Sequence, residues 1–408
     1  MAKPIKSNLD KEQRKALYEI KKDDNIMIRG KTKKLNYDPT PQIIRKVQNI
    51  LRKLNKAGQF TVKEYKDLYP SDAIPPRLYG VIKAHKLEKN YLMRVIVSTI
   101  GTTTYKISKF LTDMIQPILN KNNTHLKNSQ QFVNLANSWN IDKDEIQVSY
   151  DIINLYPSVP VKEAIIILIE RLKNDPSFTS KFTFDEIKTL LDICLLHCYF
   201  LFEHDIYELE DSGTSTYELK DSGLGLMVVV AKYFLQFHES NAIVQAISNN
   251  IQLKSFKRYV DDSHSRFNST EDAKKILMLL NNQHKNIQYT MIIENENNTL
   301  NFLDVTIINN KTGTYDFKVY RKDALANVQI KPNSCHDPKI INGIFKGFVH
   351  RTLYLCSDNN IEQELLFLVD VFVENGYKCS CKKCYVGETK LKISSRIYQH
   401  QKNTYEGN

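Results

Sequence analysis

The sequence contains little cysteine, no long apolar run and no low-complexity linker. Seven cysteines in 408 residues are too few for a disulfide framework, so a reducing compartment is expected. The longest apolar stretches, Ala164–Ile169 and Leu224–Ala231, are far too short to span a bilayer, which argues against a membrane partner. Because the first 15 residues lack an apolar core, we expect no secretory signal.

Composition and charge narrow the class of protein. With 42% hydrophobic and 25% charged residues, the chain has the composition of a globular protein and not of a disordered, collagen-like or coiled-coil one. Its length predicts two or three domains. Lysine and arginine number 57 against 46 aspartates and glutamates, a net charge of +11, beside 22 tyrosines and 18 phenylalanines. This balance suits a nucleic-acid partner, although charge alone does not identify one.

Helical and strand-like periodicities alternate along the chain. Apolar residues at steps of three and four predict helices near 43–58, 106–119, 161–173, 185–197, 226–240 and 271–283. Runs rich in β-branched residues predict strands near 91–100, 146–155, 199–210, 255–267, 287–294, 301–309 and 314–321. The proline-rich stretch 70–86 is expected to be extended and loop-like. Together these patterns predict an α+β fold whose sheet is covered on one face by helices.

One short internal repeat interrupts this pattern. The heptapeptide YELEDSG at 207–213 recurs as YELKDSG at 217–223. A single repeated heptapeptide is too short to be a solenoid unit. We therefore interpret it as a local duplication that forms a hairpin or a surface loop.

Three aspartates are candidates for chemistry. Asp151 ends a strand-like run, and Asp261 and Asp262 lie some 110 residues later inside another. Because a strand alternates its faces, two adjacent aspartates cannot both point into an apolar core, which predicts a tight turn with both at its tip. An ordinary surface turn explains a bare Asp-Asp pair equally well. If Asp151 lies beside that tip, the three carboxylates would need cations, and two Mg²⁺ ions could serve a phosphoryl transfer.

The residues around these aspartates carry a family resemblance. YVDD (259–262), with SYDIINLYPSVP (149–160) upstream, resembles the palm of a reverse transcriptase. Further blocks resemble, in the same order, those of the reverse transcriptases of Penelope-like retroelements. They are PPRLYGVIKAHK (75–86), MRVIVSTIGTTTYKISKFL (93–111), NTLNFLDVTI (298–307), FKVYRKD (317–323) and SCHDPKIINGIFKGFVHRTLYLCSD (334–358). The resemblance covers roughly residues 40–375.

The resemblance implies an architecture and an activity. The fold would be a right-hand polymerase with an antiparallel palm sheet. The implied domains are a basic helical N-terminal extension (1–60), fingers and palm (61–325), a helical thumb (326–375) and a truncated tail (376–408). The implied activity is RNA-directed DNA polymerisation, with an RNA template, a DNA primer or target and deoxynucleoside triphosphates as partners. A nuclear location would follow from that role.

The resemblance also implies roles for single residues. Asp151 and Asp261 would be metal ligands, and Asp262 would complete the acidic cluster around two Mg²⁺ ions, with Mn²⁺ as an alternative. Tyr156 matches the steric gate that excludes a 2′-hydroxyl, although an ordinary core tyrosine is the other interpretation. Lys83 and Arg94 would neutralise the incoming triphosphate.

One edge of the implied nucleotide site departs from the family pattern. Gly223 matches the start of a Gly-x-Pro-x-Ser-Pro-like segment that contacts template and nucleotide. Gly225 and Met227-Val228 stand where the family has its Pro and Ser-Pro. Val95 likewise replaces a proline after Arg94. A second hypothesis is therefore a catalytically impaired relic that binds nucleic acid without copying it.

The C-terminal tail contains a candidate zinc site. Cys381 and Cys384 have the spacing of one zinc knuckle, and Cys379 and His400 are the further ligands nearby. A reduced surface cluster of cysteines explains the same pattern.

The tail also resembles part of a GIY-YIG endonuclease. Tyr385 and Gly387 would belong to the second half of its name motif, Arg396 would match its catalytic arginine and His400 its nearby histidine. Too little of that domain is present to form a core, so we expect no nuclease activity. A site-specific nuclease is the weakest of the three hypotheses.

Overall fold

The computed structural model describes residues 32–82, 93–119, 124–202, 204–209, 225–322 and 327–377. The chain forms two compact units, each assembled from separate segments. Unit 1 comprises Met1–Asn122, Ile152–Gln245 and Leu279–Tyr289, and unit 2 comprises Asn123–Asp151, Ala246–Met278 and Thr290–Asn408. Both helices and strands are abundant, which confirms the α+β class. The linear domain boundaries expected from the sequence remain predictions.

Helices and strands alternate through the described chain. The helices are α1 (Thr40–Lys56), α2 (Val62–Leu68), α3 (Tyr105–Leu119), α4 (Ser129–Ala136), α5 (Leu155–Ser158), α6 (Val161–Asn174), α7 (Phe184–Leu195), α8 (Gly225–Ser248), α9 (Thr270–Gln283), α10 (Pro338–Leu355) and α11 (Asp358–Glu374). The strands are β1 (Thr32–Leu35), β2 (Arg77–Ile82), β3 (Met93–Ser98), β4 (Ile146–Ile152), β5 (Tyr199–Phe202), β6 (Asp205–Leu209), β7 (Leu253–Tyr259), β8 (Asp262–Phe267), β9 (Tyr289–Ile293), β10 (Thr299–Phe302), β11 (Val305–Asn309) and β12 (Tyr315–Val319).

Unit 1 is built on a five-stranded sheet with the order β1-β6-β5-β2-β3. The stretch 70–86, expected to be a loop, contains strand β2, because its prolines end at Pro76 and leave Arg77–Ile82 free to pair with β3. The single strand expected at 199–210 is instead the antiparallel pair β5 and β6.

Local signals explain the helices of unit 1. Helix α1 has an apolar residue at steps of three and four, and Gly58 at φ +76° follows its end. The side chain of Thr61 and that of Glu64 form a reciprocal capping box at the start of α2. Helix α8 begins at Gly225, where a Cβ atom would lie 3.0 Å from the Cγ2 atom of Thr112, so a larger residue would require the Thr112 side chain to move by a few tenths of an ångström.

Unit 2 contains two antiparallel arrangements. A four-stranded sheet has the order β7-β8-β4-β9, and a three-stranded sheet has the order β10-β11-β12. The single strand expected at 301–309 is a hairpin, because Leu303 takes φ +54° and the chain reverses there. The described residues therefore form three sheets, whereas the periodicities predicted one.

A buried cluster joins α4 to the three-stranded sheet. Its centre is aromatic, with the rings of Phe132 and Phe302 4.8 Å apart and the His264 ring 5.0 Å from that of Phe132. Beside it, Glu145 is fully buried and accepts two hydrogen bonds from Arg266. Burial in an apolar cluster is favourable for these rings, and the paired charges satisfy each other's hydrogen-bonding needs.

Two helices, α10 and α11, lie within the stretch 326–375, and its assignment as a thumb domain stays a prediction. Asp337 caps α10 by accepting a hydrogen bond from the Lys339 amide at 2.8 Å. The hydroxyl of Ser357, between the two helices, accepts a hydrogen bond from the Phe317 amide of β12 at 2.9 Å. Within the described ranges, no helix is long and apolar enough to cross a membrane.

Candidate active site

Asp151 lies near the C-terminal end of β4, an inner strand of the four-stranded sheet. From Gln147 to Tyr150 every side chain is buried, and Asp151 is exposed. The Tyr150 hydroxyl donates to the carbonyl of Ala273 at 2.9 Å, which fixes the strand against the start of α9. The hydroxyl of Thr290 donates to the Asp151 carbonyl at 3.3 Å. A rigid, buried strand thus ends in one exposed carboxylate.

The hairpin between β7 and β8 presents the other two aspartates. Tyr259 and Asp262 are the last paired residues, so Val260 and Asp261 form a two-residue turn. Val260 takes φ +52°, a conformation that is unusual for a β-branched residue. A positive φ at only the first central position is the pattern of a type II′ turn, which fits the twist of a hairpin. The expected tight turn is present, but only Asp261 lies in it, and Asp262 is the first residue of β8.

The three aspartates converge in unit 2. Asp151 on β4 is the direct cross-strand partner of Asp262 on β8. Side chains at such positions lie on the same face of the sheet, with Cβ atoms about 5 Å apart. Asp261 precedes Asp262 in the turn, so all three carboxylates lie at one end of the β4–β8 pair.

Burial and mutual repulsion define the electrostatics of this end of the sheet. Burial, and then the charges of Asp261 and Asp151, raise the pKa of Asp262 to about 7, while the nearby Lys322 ammonium acts to lower it. Two further carboxylates thus make it harder for Asp262 to ionise. A cation among these groups would favour the ionised form of all three.

The chemistry of this donor set fits a divalent cation. Carboxylate oxygens are the preferred ligands of Mg²⁺ and Mn²⁺, and the pKa of Asp262 is raised by burial and then by two neighbouring carboxylates, which Lys322 alone does not offset. In the described part of the chain, however, no three His, Cys, Asp or Glu side chains are already gathered into a metal-binding set. The three aspartates and their cross-strand register suit a divalent cation, but their side-chain oxygens are not arranged as a coordination shell.

Arg258 stabilises the turn through a buried hydrogen bond, a role that the sequence did not reveal. It is the largest fully buried side chain, and its Nη1 atom donates to the Val260 carbonyl at 2.9 Å. Its Nη2 atom lies 3.5 Å from Nε2 of His125, and its backbone amide donates to Thr124 O at 2.8 Å. An arginine inside a strand pattern has no local signal for burial, and only its place immediately before YVDD could have indicated it.

Of the remaining predicted nucleotide-site residues, two belong to unit 1 and two lie outside the described residues. Arg94 lies in β3 of unit 1, opposite Val81 of β2. Tyr156 is half-buried on α5, also in unit 1. Lys83 and Gly223 lie outside the described residues, as do the tail residues Cys381, Cys384, Tyr385, Gly387, Arg396 and His400.

The altered segment after Gly223 is helical where it is described. Residues from Gly225 onward form the first turns of α8, and Met227 and Val230 are buried in unit 1. Gly225, Met227 and Val228, which stand where the Penelope-like pattern has Pro and Ser-Pro, therefore lie in the first turns of this helix.

Comparison with known proteins gives one family match and several structural likenesses. Residues 329–384, which include α10 and α11, match the model of the animal helix-turn-helix domain. A search of curated protein sequences finds no match to the chain. The family match covers too little of the chain to assign it to a family as a whole.

The structural likenesses are to telomerases and viral RNA polymerases. The chain resembles telomerase from Candida albicans in complex with a fragment of telomeric RNA (8% identity, TM-score 0.49, 80% of this chain and 60% of that chain). It resembles apo telomerase from Candida tropicalis at 11% identity and TM-score 0.44, over 84% of this chain and 64% of that one. It resembles the BmCPV RNA-dependent RNA polymerase at elongation state at 12% identity and TM-score 0.45, over 84% and 30%.

The chain thus spans less than two thirds of the length of each of these proteins. At such TM-scores and identities, the likenesses do not by themselves assign an activity.

Proposed function

We propose that the chain is an RNA-directed DNA polymerase of the Penelope-like type, which extends a primer 3′-hydroxyl on an RNA template. The observation that carries the proposal is the β4–β8 pairing, which sets Asp151 opposite Asp262 beside a turn that presents Asp261. Phosphoryl transfer depends mainly on positioning and charge stabilisation, and three carboxylates at one end of the β4–β8 pair could position the cations that would stabilise that charge.

The proposed reaction is a nucleotidyl transfer. The primer 3′-oxygen attacks the α-phosphorus of a deoxynucleoside triphosphate, and a new P–O bond forms as the bond to pyrophosphate breaks. Asp151 and Asp261 would hold two Mg²⁺ ions, or Mn²⁺ as an alternative, with Asp262 completing the set. When bound, such ions neutralise charge on the attacking and leaving oxygens.

Other residues would hold the nucleotide. Lys83 and Arg94 would neutralise the triphosphate, and Tyr156 would exclude a 2′-hydroxyl by contact with the sugar. Lys322, already close enough to Asp262 to act on its pKa, adds positive charge at the same end of the sheet. On this proposal the four-stranded sheet is the palm and α10 with α11 is the thumb of a right-hand polymerase. The DNA primer, the RNA template and a nuclear location belong to the same proposal.

Primer extension by the purified protein tests this function. We expect extension of a DNA primer on an RNA template with Mg²⁺, and a loss of about a hundredfold or more in the Asp261→Asn variant. Asp144→Asn is the matched control, because Asp144 is an exposed aspartate just before β4, away from the turn. Equal rates in the wild type and Asp261→Asn would overturn the proposal.

The impaired relic is the second candidate, favoured by one observation. The segment that contacts template and nucleotide in the family is here continuous with the buried start of α8. A relic would bind primer–template tightly in an anisotropy assay and yet incorporate no nucleotide, in the wild type as in Asp261→Asn.

A further inference from the structure

Helix α1 carries a row of cations directly opposite its buried face. The buried residues Ile43, Val47, Leu51 and Leu54 lie on one side of the helix. The opposite side carries exposed Arg45, Asn49, Arg52 and Lys56, spaced at four, three and four residues. This spacing places them in one line, which rises about 16 Å along the helix axis. Exposed Lys46 and Lys53 flank the line on one side.

The charge of this row is not balanced by neighbouring acids. Helix α1 contains no aspartate or glutamate, and none of its cations forms an ion pair with a carboxylate in the described part of the chain. Other exposed lysines are paired, as Lys188 is with Asp192 at 2.7 Å and Lys274 with Glu271 at 3.1 Å. The contrast shows that the row is not an ordinary mixed-charge surface.

Neutral groups orient the cations. Arg52 donates to the Asn49 side chain at 3.0 Å and to the Tyr69 hydroxyl at 2.7 Å. The Nζ atom of Lys46 lies 3.2 Å from Nε2 of His197, whose pKa is lowered by burial and then by Lys46 itself. These partners fix side-chain positions without cancelling charge. A preorganised cation loses less conformational entropy when an anion binds.

Aromatic rings border the row. The Tyr69 ring lies 5.8 Å from the Arg52 guanidinium, and the rings of Tyr65 and Tyr69 are 5.4 Å apart. Positive charge along a line, with aromatic rings beside it, is the chemistry that binds single-stranded nucleic acid through phosphates and base stacking. Guanidinium groups also match phosphate in a two-pronged geometry.

We propose that the exposed face of α1 binds the sugar–phosphate backbone of single-stranded RNA. The choice of RNA rests on the proposed function, in which the template is RNA. The binding surface itself is Arg45, Arg52 and Lys56 with Lys46 and Lys53 at its side. It is formed entirely by unit 1 and uses none of the aspartates of unit 2.

Fluorescence anisotropy with the full chain and a labelled 30-nucleotide single-stranded RNA tests the proposal. The triple variant Arg45→Gln, Arg52→Gln, Lys56→Gln keeps good helix formers at exposed positions. At about 100 mM salt we expect it to bind roughly 10–100-fold more weakly, and the slope of log affinity against log salt to fall by about 2.

The matched control removes the same charge elsewhere. Lys188→Gln, Lys274→Gln, Lys275→Gln also lowers the net charge by three, at lysines that are paired with acids. We expect this control to bind RNA within about threefold of the wild type. Equal loss in both triple variants, or no loss in the α1 variant, would overturn the proposal. Equal melting temperatures exclude misfolding as the cause.

Two further features of the experiment show which nucleic acid is bound and separate binding from catalysis. Duplex DNA of the same length tests the partner, and a loss confined to duplex DNA would also contradict the proposal. Binding is measured without nucleotides or Mg²⁺, so the outcome does not depend on catalysis. Failure of the polymerase proposal would appear instead as equal extension by the wild type and Asp261→Asn.

Discussion

At the scale of single residues, Arg258 links the buried sheet to the turn that presents Asp261. A fully buried guanidinium is favourable only when its donors have acceptors, and the Val260 carbonyl is one of these acceptors. The same hydrogen bond fixes the turn that presents Asp261. Arg258 is therefore a positioning residue, because it holds the turn and does not itself belong to the acidic set.

Replacing Arg258 should separate positioning from nucleotide binding. We expect Arg258→Met to lower the kcat of single-nucleotide extension by about 10–100-fold with little change in the KM for the nucleotide, because a small misplacement of reacting groups is costly. Arg258→Lys, which keeps one donor near Val260, should recover part of the loss. Arg258→Met should also lower the free energy of unfolding by about 1–3 kcal/mol.

The control for this series is Arg171→Met, at an exposed arginine of α6. Its kinetics should match those of the wild type. A rise in KM at constant kcat for Arg258→Met would contradict the positioning role, since it would mean that Arg258 acts through the nucleotide.

At the scale of elements, the β7–β8 hairpin carries strain at Val260, next to the proposed catalytic aspartates. Val260 holds φ +52°, where a type II′ turn favours glycine. Strain of this kind is of order 1–3 kcal/mol and persists only where the surroundings enforce it. Here the Arg258 hydrogen bond and the paired strands enforce it.

Val260→Gly should therefore stabilise the protein. We expect the free energy of unfolding to rise by roughly 0.5–2 kcal/mol, which is the strain relieved less the entropy of the freer unfolded chain. Val328→Gly, at an exposed position with negative φ, should lower it by about 0.5–1 kcal/mol. Chemical denaturation measures both, and a decrease of the same size in the two variants would show that Val260 is unstrained.

Hairpins are also the elements that sequence periodicity predicted least well. The helices at 161–174 and 270–283 were predicted within a residue or two, because their apolar spacing spans several turns of helix. The runs 199–210 and 301–309 were each predicted as one strand and are hairpins. Leu303, which turns the second run at φ +54°, is an apolar residue with no preference for turns, so the pattern continues unbroken across the reversal.

At the scale of the whole molecule, periodicity predicted the class of fold, and composition favoured a nucleic-acid partner, which stays a prediction. Neither composition nor periodicity could predict that Asp151 lies opposite Asp262, some 110 residues later, because local patterns carry no information on strand pairing. The ordered blocks of the family resemblance supplied that expectation, and the β4–β8 register shows the two aspartates opposite each other. The support by Arg258 and the neighbouring charge of Lys322 depend on tertiary packing and could be found only in the structure.

Positive and negative side chains are concentrated in different parts of the chain. The chain has a net charge of +11, and the cations of α1 have no acidic partners in the described residues. In unit 2, three aspartates lie together at one end of a sheet. The proposed surface for a polyanion and the proposed site for cations thus belong to different units, which allows binding and catalysis to be measured apart.

The most direct measurement of the central claim is templated incorporation of a single nucleotide. Four RNA templates that differ only in the first templating base would be annealed to one DNA primer, and each would be offered the four deoxynucleotides separately with Mg²⁺. We expect that only the complementary nucleotide is added on each template, and that Asp151→Asn and Asp261→Asn add none while Asp144→Asn behaves as the wild type. Addition that ignores the template, or that survives in Asp151→Asn and Asp261→Asn, would contradict it.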